Sequence, residues 1–369
     1  MNNWPRKDMH SGAQGTAVDN IDQGVPVDAE NLSPAPVHGG RLNAAVAQHG
    51  IPREQWLDLS TGINPEGWPV PPIPATVFNR LPEEDDGLQS VACAYYGSRE
   101  LLLVPGSQAA IQALPALRLS RSGRAEVGVL YPGYAEHAFR WQQAGHAVSL
   151  LQAEQIEARL DSLDVLVLIN PCNPSAQEFS QRQLQDWQAR LAPRGGWLLV
   201  DEAFIDATPE QSLIRDPMPA GLIILRSLGK FFGLAGLRVG AVCAEAEVRA
   251  ALAHQIGPWA ISHPSRWLAR QALADTAWQQ SMRARLARQQ ARLQTLLSAM
   301  LGERGVVVSS TALFATVVTE QAARIAQRCA RAGILVRRFE QPAALRFGLP
   351  EDEDAWQRLE RVLNEIRHD

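Results

Sequence analysis

The sequence predicts an α/β fold: a large domain on a mostly parallel sheet, followed by a smaller α+β C-terminal domain. Three observations carry this. From about residue 84 to 243 short apolar runs alternate with helical stretches, the pattern of a parallel sheet with crossover helices. Polar, Gly-rich pieces repeatedly follow those runs. Beyond residue 245, Ala-, Arg- and Gln-rich helical sequence gives way to short strand candidates and further helices.

Residues 1–36 are rich in Gly, Asp, Asn, Gln and Pro and poor in periodic apolar residues, so they read as a disordered or loose arm. Residues 37–64 form a segment joining the small domain and the site, with HGG, a helix over 41–48 and DLSTGINP. The proline-rich run 69–74 is an extended connector. The large domain spans 65–260, with strands expected at 101–104, 127–130, 165–169, 197–200, 222–225 and 238–242. The small domain spans 261–369, with strands at 306–309, 313–318, 334–337 and 345–347 and helices at 320–332 and 352–367. In an open α/β sheet the site lies beyond the carboxyl ends of the strands. Five polar pieces converge there: 105–108, 131–134, 170–174, 201–202 and 227–230.

Composition narrows the class. A net charge of -4, with arginines spread along helices among carboxylates, gives no footprint for nucleic acid or a membrane surface. No apolar stretch is long enough to span a bilayer, and the N-terminus lacks a signal-peptide core. Cys93, Cys172, Cys243 and Cys329 lie far apart and make no metal-ligand spacing, so no metal is expected. Reduced cysteines in a cytoplasmic protein account for them.

The chain holds only two lysines, Lys7 in the polar arm and Lys230. Lys230 follows the apolar run 222–225 and is flanked by Phe231 and Phe232. A lysine at the end of a buried strand beside apolar rings can lose its charge and act as a nucleophilic amine. Its natural partner is an aldehyde cofactor, pyridoxal 5'-phosphate (PLP). That group also needs a carboxylate for its ring nitrogen, and Asp201 follows the run 196–200 directly. Its phosphate needs helix-start amides and a cation. Gly106, Ser107 and Gln108 open a helix, Ser227 precedes Lys230 by three residues, and Arg238 follows by eight. Asn173 offers an amide to the ring's phenolic oxygen, and Tyr134 a flat side chain to cover its face.

The blocks SLGKFFGLAGLRVG, VDEAF, NPCNPS, YPGY and LRFG together resemble PLP enzymes of the aspartate-aminotransferase fold, fold type I. The likeness runs from about residue 38 to the C-terminus and is nearest the histidinol-phosphate aminotransferase branch. Within it, HGG followed by DLSTGINPEG resembles the threonine-phosphate decarboxylases of cobalamin synthesis. The resemblance implies Lys230 as the Schiff-base lysine, Asp201 at the pyridine nitrogen, Asn173 at the phenolic oxygen and Tyr134 stacked on the ring. Gly106, Ser107, Ser227 and Arg238 would hold the cofactor phosphate. Arg346 would grip the substrate carboxylate, and Arg337 would join it or meet the substrate's phosphate. His38, Gly39 and Asn64 would close over the substrate. A homodimer is implied as well.

There are departures from the family pattern. Gly229 stands where a hydroxyl residue often precedes the lysine, and Phe204 where a Tyr is usual. Leu81 aligns with the Tyr that aminotransferases send from a neighbouring subunit, and Cys172 replaces a common Asn. The activity implied is decarboxylation of O-phospho-L-threonine to (R)-1-aminopropan-2-ol O-phosphate. The alternative is a histidinol-phosphate-type aminotransferase. A non-catalytic module keeping the fold would be expected to have lost Lys230 or Asp201. A nucleotide-binding protein is disfavoured, since no GxGxxG or GxxxxGK(S/T) follows a strand.

Overall fold

The computed structural model describes residues 36, 39–301 and 306–368. The expected loose arm lies outside the described residues, Pro36 apart, and so does His38. Helix α1 (Leu42–His49), strand β1 (Leu57–Asp58) and helix α2 (Leu88–Tyr96) come first. The alternation follows as β2 (Leu101–Val104), α3 (Ser107–Ser122), β3 (Glu126–Leu130), α4 (Glu136–Gln143), β4 (Ala147–Leu151) and α5 (Ala153–Arg159). It continues through β5 (Val165–Ile169), α6 (Gln181–Leu191), β6 (Trp197–Asp201), β7 (Leu222–Ser227) and β8 (Gly240–Cys243). Helices α7 (Ala246–Ile256), α8 (His263–Ala274) and α9 (Thr276–Leu301) lead to β9 (Val307–Thr311) and β10 (Phe314–Val318). Then come α10 (Ala322–Arg331), β11 (Ile334–Leu335), β12 (Arg337–Phe339), β13 (Ala344–Gly348) and α11 (Glu353–His368). Among the described residues no helix is long and apolar enough to cross a membrane.

The large sheet has the order β2-β8-β7-β6-β5-β3-β4. Only β8 runs against the others, pairing antiparallel with both β2 and β7. Its connection from β7 spans residues 228–239, about the minimum for a helical crossover, so the chain turns back instead. The central strands alternate their apolar side chains between two packed layers. Val165, Val167, Leu199, Ile223 and Leu225 face one layer. Leu166, Leu168, Leu198, Val200 and Ile224 face the other. Both faces are covered, which is why these runs are continuously apolar.

Two differences from the sequence reading matter. Strand β4 was not expected, because Ser149 interrupts its run and it pairs only with β3 at the sheet edge. The single strand expected at 334–337 is two. β11 pairs in parallel with β1, whereas β12 joins the antiparallel sheet β12-β13-β10-β9. Val336 is where the chain changes sheets, and that change brings Arg337 opposite Arg346.

Candidate active site

Strand β7 runs in parallel beside β6 and two residues past it, and Asp201 is the last residue of β6, in register with Leu225. It is 4% exposed. Asp201 Oδ1 accepts from the Ala203 N–H at 3.1 Å, and Oδ2 lies 3.1 Å from His137 Nε2. His137, on α4, is wholly buried, and among the described residues its Nδ1 has no hydrogen-bond partner. Sequence reading missed His137; its one signal is the place a helical turn beyond Tyr134, whose ring it meets edge-on at 6.1 Å.

Lys230 sits just past β7. Its carbonyl accepts from the N–H groups of Asn64 and Gly233, at 3.0 and 3.1 Å, which fixes the backbone under the amine. Nζ lies 5.4 Å from the centre of the Phe204 ring. Burial above all, then the positive charge of Arg346, push this amine down to about 8, while Asp201 pulls the other way. The amine therefore loses its proton far more readily than an ordinary lysine, although near neutral pH the charged form still predominates.

A second group of residues gathers at the start of α3. Gly106 has φ +74°, and a Cβ built there would fall 2.6 Å from Arg238 Nη2, so the guanidinium lies against bare backbone. Helix α3 opens at Ser107 with no side-chain cap, which leaves its first N–H groups for another acceptor. β8 begins directly beneath. A Cβ on Gly240 would come 2.7 Å from the Ser107 nitrogen. Gly240 pairs with Ser227, whose Oγ accepts from the Gly229 N–H at 3.2 Å. Gly106, Ser107, Ser227 and Arg238 are thus brought to one place, where backbone N–H groups, hydroxyls and a guanidinium, the chemistry that suits an anion, lie side by side.

Arg346 occupies the middle of β13 and is buried. Its Nη1 donates to Asn173 Oδ1 and its Nη2 donates to the Ser60 carbonyl at 2.5 Å, while Nε has no hydrogen-bond partner among the described residues. Among the described residues no carboxylate forms an ion pair with it, although burial and then Arg337 push its guanidinium down to about 10. The charge of Asp58 acts the other way without a direct ion pair, so the buried guanidinium keeps capacity for an anion. Arg337 is its cross-strand partner, and burial with the charge of Arg41 pushes its own guanidinium down. Gly39 joins this end of the site: a Cβ there would lie 3.8 Å from Arg346 Nη2.

Asn64, expected to close over the substrate, donates through Nδ2 to the Phe231 carbonyl at 2.9 Å and accepts through Oδ1 from the Glu66 N–H at 3.0 Å. Buried and engaged at both ends of its amide, it braces the lysine loop. Tyr134 and Gln108 are joined to each other, the phenol donating to Gln108 Oε1 at 3.2 Å. No group of three or more His, Cys, Asp or Glu that could hold a metal occurs among the described residues.

Residues 85–361 match the family "Aminotransferase class I and II". This chain belongs to that family. It is 50% identical over 326 residues to a threonine-phosphate decarboxylase of Pseudomonas aeruginosa, covering 88% of this chain and 96% of that one. A threonine-phosphate decarboxylase of Sinorhizobium sp is 37% identical, over 89% of this chain and 97% of its own length. Among solved structures, a histidinol-phosphate aminotransferase of Sinorhizobium meliloti in complex with pyridoxal-5'-phosphate aligns with a TM-score of 0.74. At 17% identity, over 96% of this chain and 99% of that chain, it shows the shared fold.

The family membership gives the departures their context. Phe204 holds its ring under the Lys230 amine where a phenol would supply a hydrogen bond. A side chain at Gly229 would begin 3.2 Å from the Ala235 Cα, so the tight turn leaves little room for the missing hydroxyl. Leu81 is 61% exposed. Cys172 is wholly buried, donates to the Pro132 carbonyl at 3.3 Å, and burial pushes its thiol up to about 11, which leaves it no nucleophilic role.

Proposed function

We propose that this chain decarboxylates O-phospho-L-threonine to (R)-1-aminopropan-2-ol O-phosphate, a step of cobalamin biosynthesis, using pyridoxal 5'-phosphate. The likeness that carries the choice of reaction is the 50% identity to a threonine-phosphate decarboxylase over most of both chains. The residues present fit the cofactor. The anion cradle at Gly106, whose bare backbone a Cβ would fill, suits the phosphate. The Lys230 amine, which burial makes easier to deprotonate, suits the aldehyde, and Asp201, backed by His137, suits the ring nitrogen. When bound, the cofactor supplies an electron sink for the bond broken at the substrate's Cα.

The chain's own residues then have separable tasks. Lys230 Nζ holds the cofactor and, once released, carries a proton to the substrate Cα. Asp201 keeps the ring nitrogen protonated. Asn173 has its Oδ1 engaged by Arg346, which aims its NH2 group as a donor. Arg346 binds the substrate carboxylate. A grip on the group that departs stabilises the ground state, so Arg346 orients the breaking bond more than it activates it. Arg337, with Arg41 nearby, meets the substrate's phosphate together with Gly39. Phe204 and Phe314, edge to face at 5.2 Å, keep water from the amine.

A homodimer fits exposed apolar side chains that a single chain leaves bare: Phe78 at 63%, Leu81 at 61% and Trp259 at 59%. A cytoplasmic location fits the four free cysteines. The test supplies the purified chain with cofactor and O-phospho-L-threonine and measures carbon dioxide, then histidinol phosphate with 2-oxoglutarate and measures glutamate. Carbon dioxide from the first is the expected result. Glutamate without carbon dioxide would assign the aminotransferase reaction instead.

A further inference from the structure

A line of polar side chains runs from Tyr134 away from the site. The Tyr134 hydroxyl donates to Gln108 Oε1 at 3.2 Å, and Gln108 Nε2 donates to Glu136 Oε2 at 2.8 Å. The same Glu136 oxygen accepts from Arg140 Nε at 3.0 Å. Glu136 is only 5% exposed, so Arg140 compensates a carboxylate that water does not reach. An ionised carboxylate accepts and never donates. The orientation of the Gln108 amide follows: reversed, its oxygen would face the Glu136 oxygen at 2.8 Å, two acceptors with no proton between them. With its NH2 turned to Glu136, the amide offers only its carbonyl oxygen to Tyr134, and the phenol must be the donor.

We propose that Glu136 is a positioning residue, acting through Gln108 to hold the Tyr134 ring at one angle over the cofactor site. This rests on the reading of that site given above. It has a consequence for the chemistry. The phenol proton is committed to Gln108, so Tyr134 does not return the proton to the substrate Cα, and that task stays with Lys230. The ring's opposite constraint is His137, whose edge-on contact at 6.1 Å ties the same tyrosine to the Asp201 pair.

The test is a double-mutant cycle in the full chain loaded with cofactor. A glutamine at position 136 can donate or accept, so Glu136→Gln frees the Gln108 amide to invert. It should lower kcat on the order of tenfold with KM unchanged, within the hundredfold that a misplacement of about 1 Å can carry. In a Tyr134→Phe background the same change should have no further effect, because the hydroxyl it acts through is gone. An equal loss in both backgrounds overturns the proposal, as does a loss confined to the thermal midpoint. Should Glu136→Gln not fold, Gln108→Leu breaks the line while leaving the Glu136–Arg140 pair intact, and the same cycle applies. A second readout needs no turnover. In cofactor-free protein the near-ultraviolet dichroism that Tyr134→Phe removes should also be lost in Glu136→Gln, and its persistence overturns the proposal. Absence of phosphothreonine turnover in the unmodified chain would count against the proposed function alone, since the dichroism still reports the clamp.

Discussion

His137 Nε2 and Asp201 Oδ2 lie 3.1 Å apart, both side chains out of water, one on a helix and the other at the end of a central strand. With the Ala203 N–H on its other oxygen, this carboxylate is held at a single orientation by two donors. Removing the negative charge with Asp201→Asn should lower kcat by roughly 10²–10⁴-fold, the range of a lost acid–base partner. His137→Phe should lower it less, since the carboxylate remains. Steady-state carbon dioxide release measures both, and unaltered turnover in Asp201→Asn would remove this residue from the site.

The Lys230 amine should bind the cofactor only when neutral. The rate of cofactor uptake by the cofactor-free chain should therefore rise with pH and level off above about 8. Arg346 contributes to this depression, so Arg346→Gln should move the midpoint upward. Stopped-flow absorbance across the pH range checks it. A midpoint near the ordinary lysine value of 10.5 in the unmodified chain would contradict a buried amine.

Arg346 presents its guanidinium between Asn173 and the Ser60 carbonyl, a planar arrangement that an ammonium cannot reproduce. Arg346→Lys should raise KM for phosphothreonine on the order of tenfold or more, the cost of one charge-assisted bond of about 1.5–3 kcal/mol. Cofactor affinity should stay unchanged, which equilibrium dialysis can establish independently. A change in cofactor binding with KM intact would place Arg346 on the other side of the site.

Gly106→Ala combines a positive φ with a Cβ 2.6 Å from Arg238 Nη2. The backbone strain should cost roughly 1 kcal/mol or more in stability. Displacement of the guanidinium should also weaken cofactor binding. Thermal unfolding with and without added cofactor separates the two effects; an equal midpoint shift in both conditions would mean the cradle does not hold the cofactor.

His146 contributes to acid stability at a distance from the site. It is 2% exposed, its Nδ1 accepts from the Ala125 N–H at 3.1 Å, and its Nε2 faces the Pro115 carbonyl at 2.9 Å. Burial lowers its pKa from 6.5, so the folded ring holds a proton less tightly than the unfolded one. Below about pH 6.5 the unfolded chain takes up the extra proton, and stability falls as pH falls through this window. Urea midpoints between pH 7 and 5 should decline in the unmodified chain and decline less in His146→Gln.

Much of this was legible in one dimension because it depends on local pattern. Runs such as VLVLI and LIILRS are apolar at every position only when both sheet faces are covered, so they announce central parallel strands. A lone lysine after such a run, with Ser227 and Arg238 at their spacing, could be read from composition and position. What the tertiary structure decided were pairings between segments distant in sequence. His137 could be told from an ordinary helical histidine only by its approach to Asp201, 64 residues away. That Asn64 reaches the Phe231 carbonyl, 167 residues on, likewise has no local signal. Arg346 is buried between two neutral acceptors, Asn173 and the Ser60 carbonyl, which only the folded chain brings to it. A chain specifies which groups it owns, but whether a buried group is satisfied depends on which other segment arrives beside it.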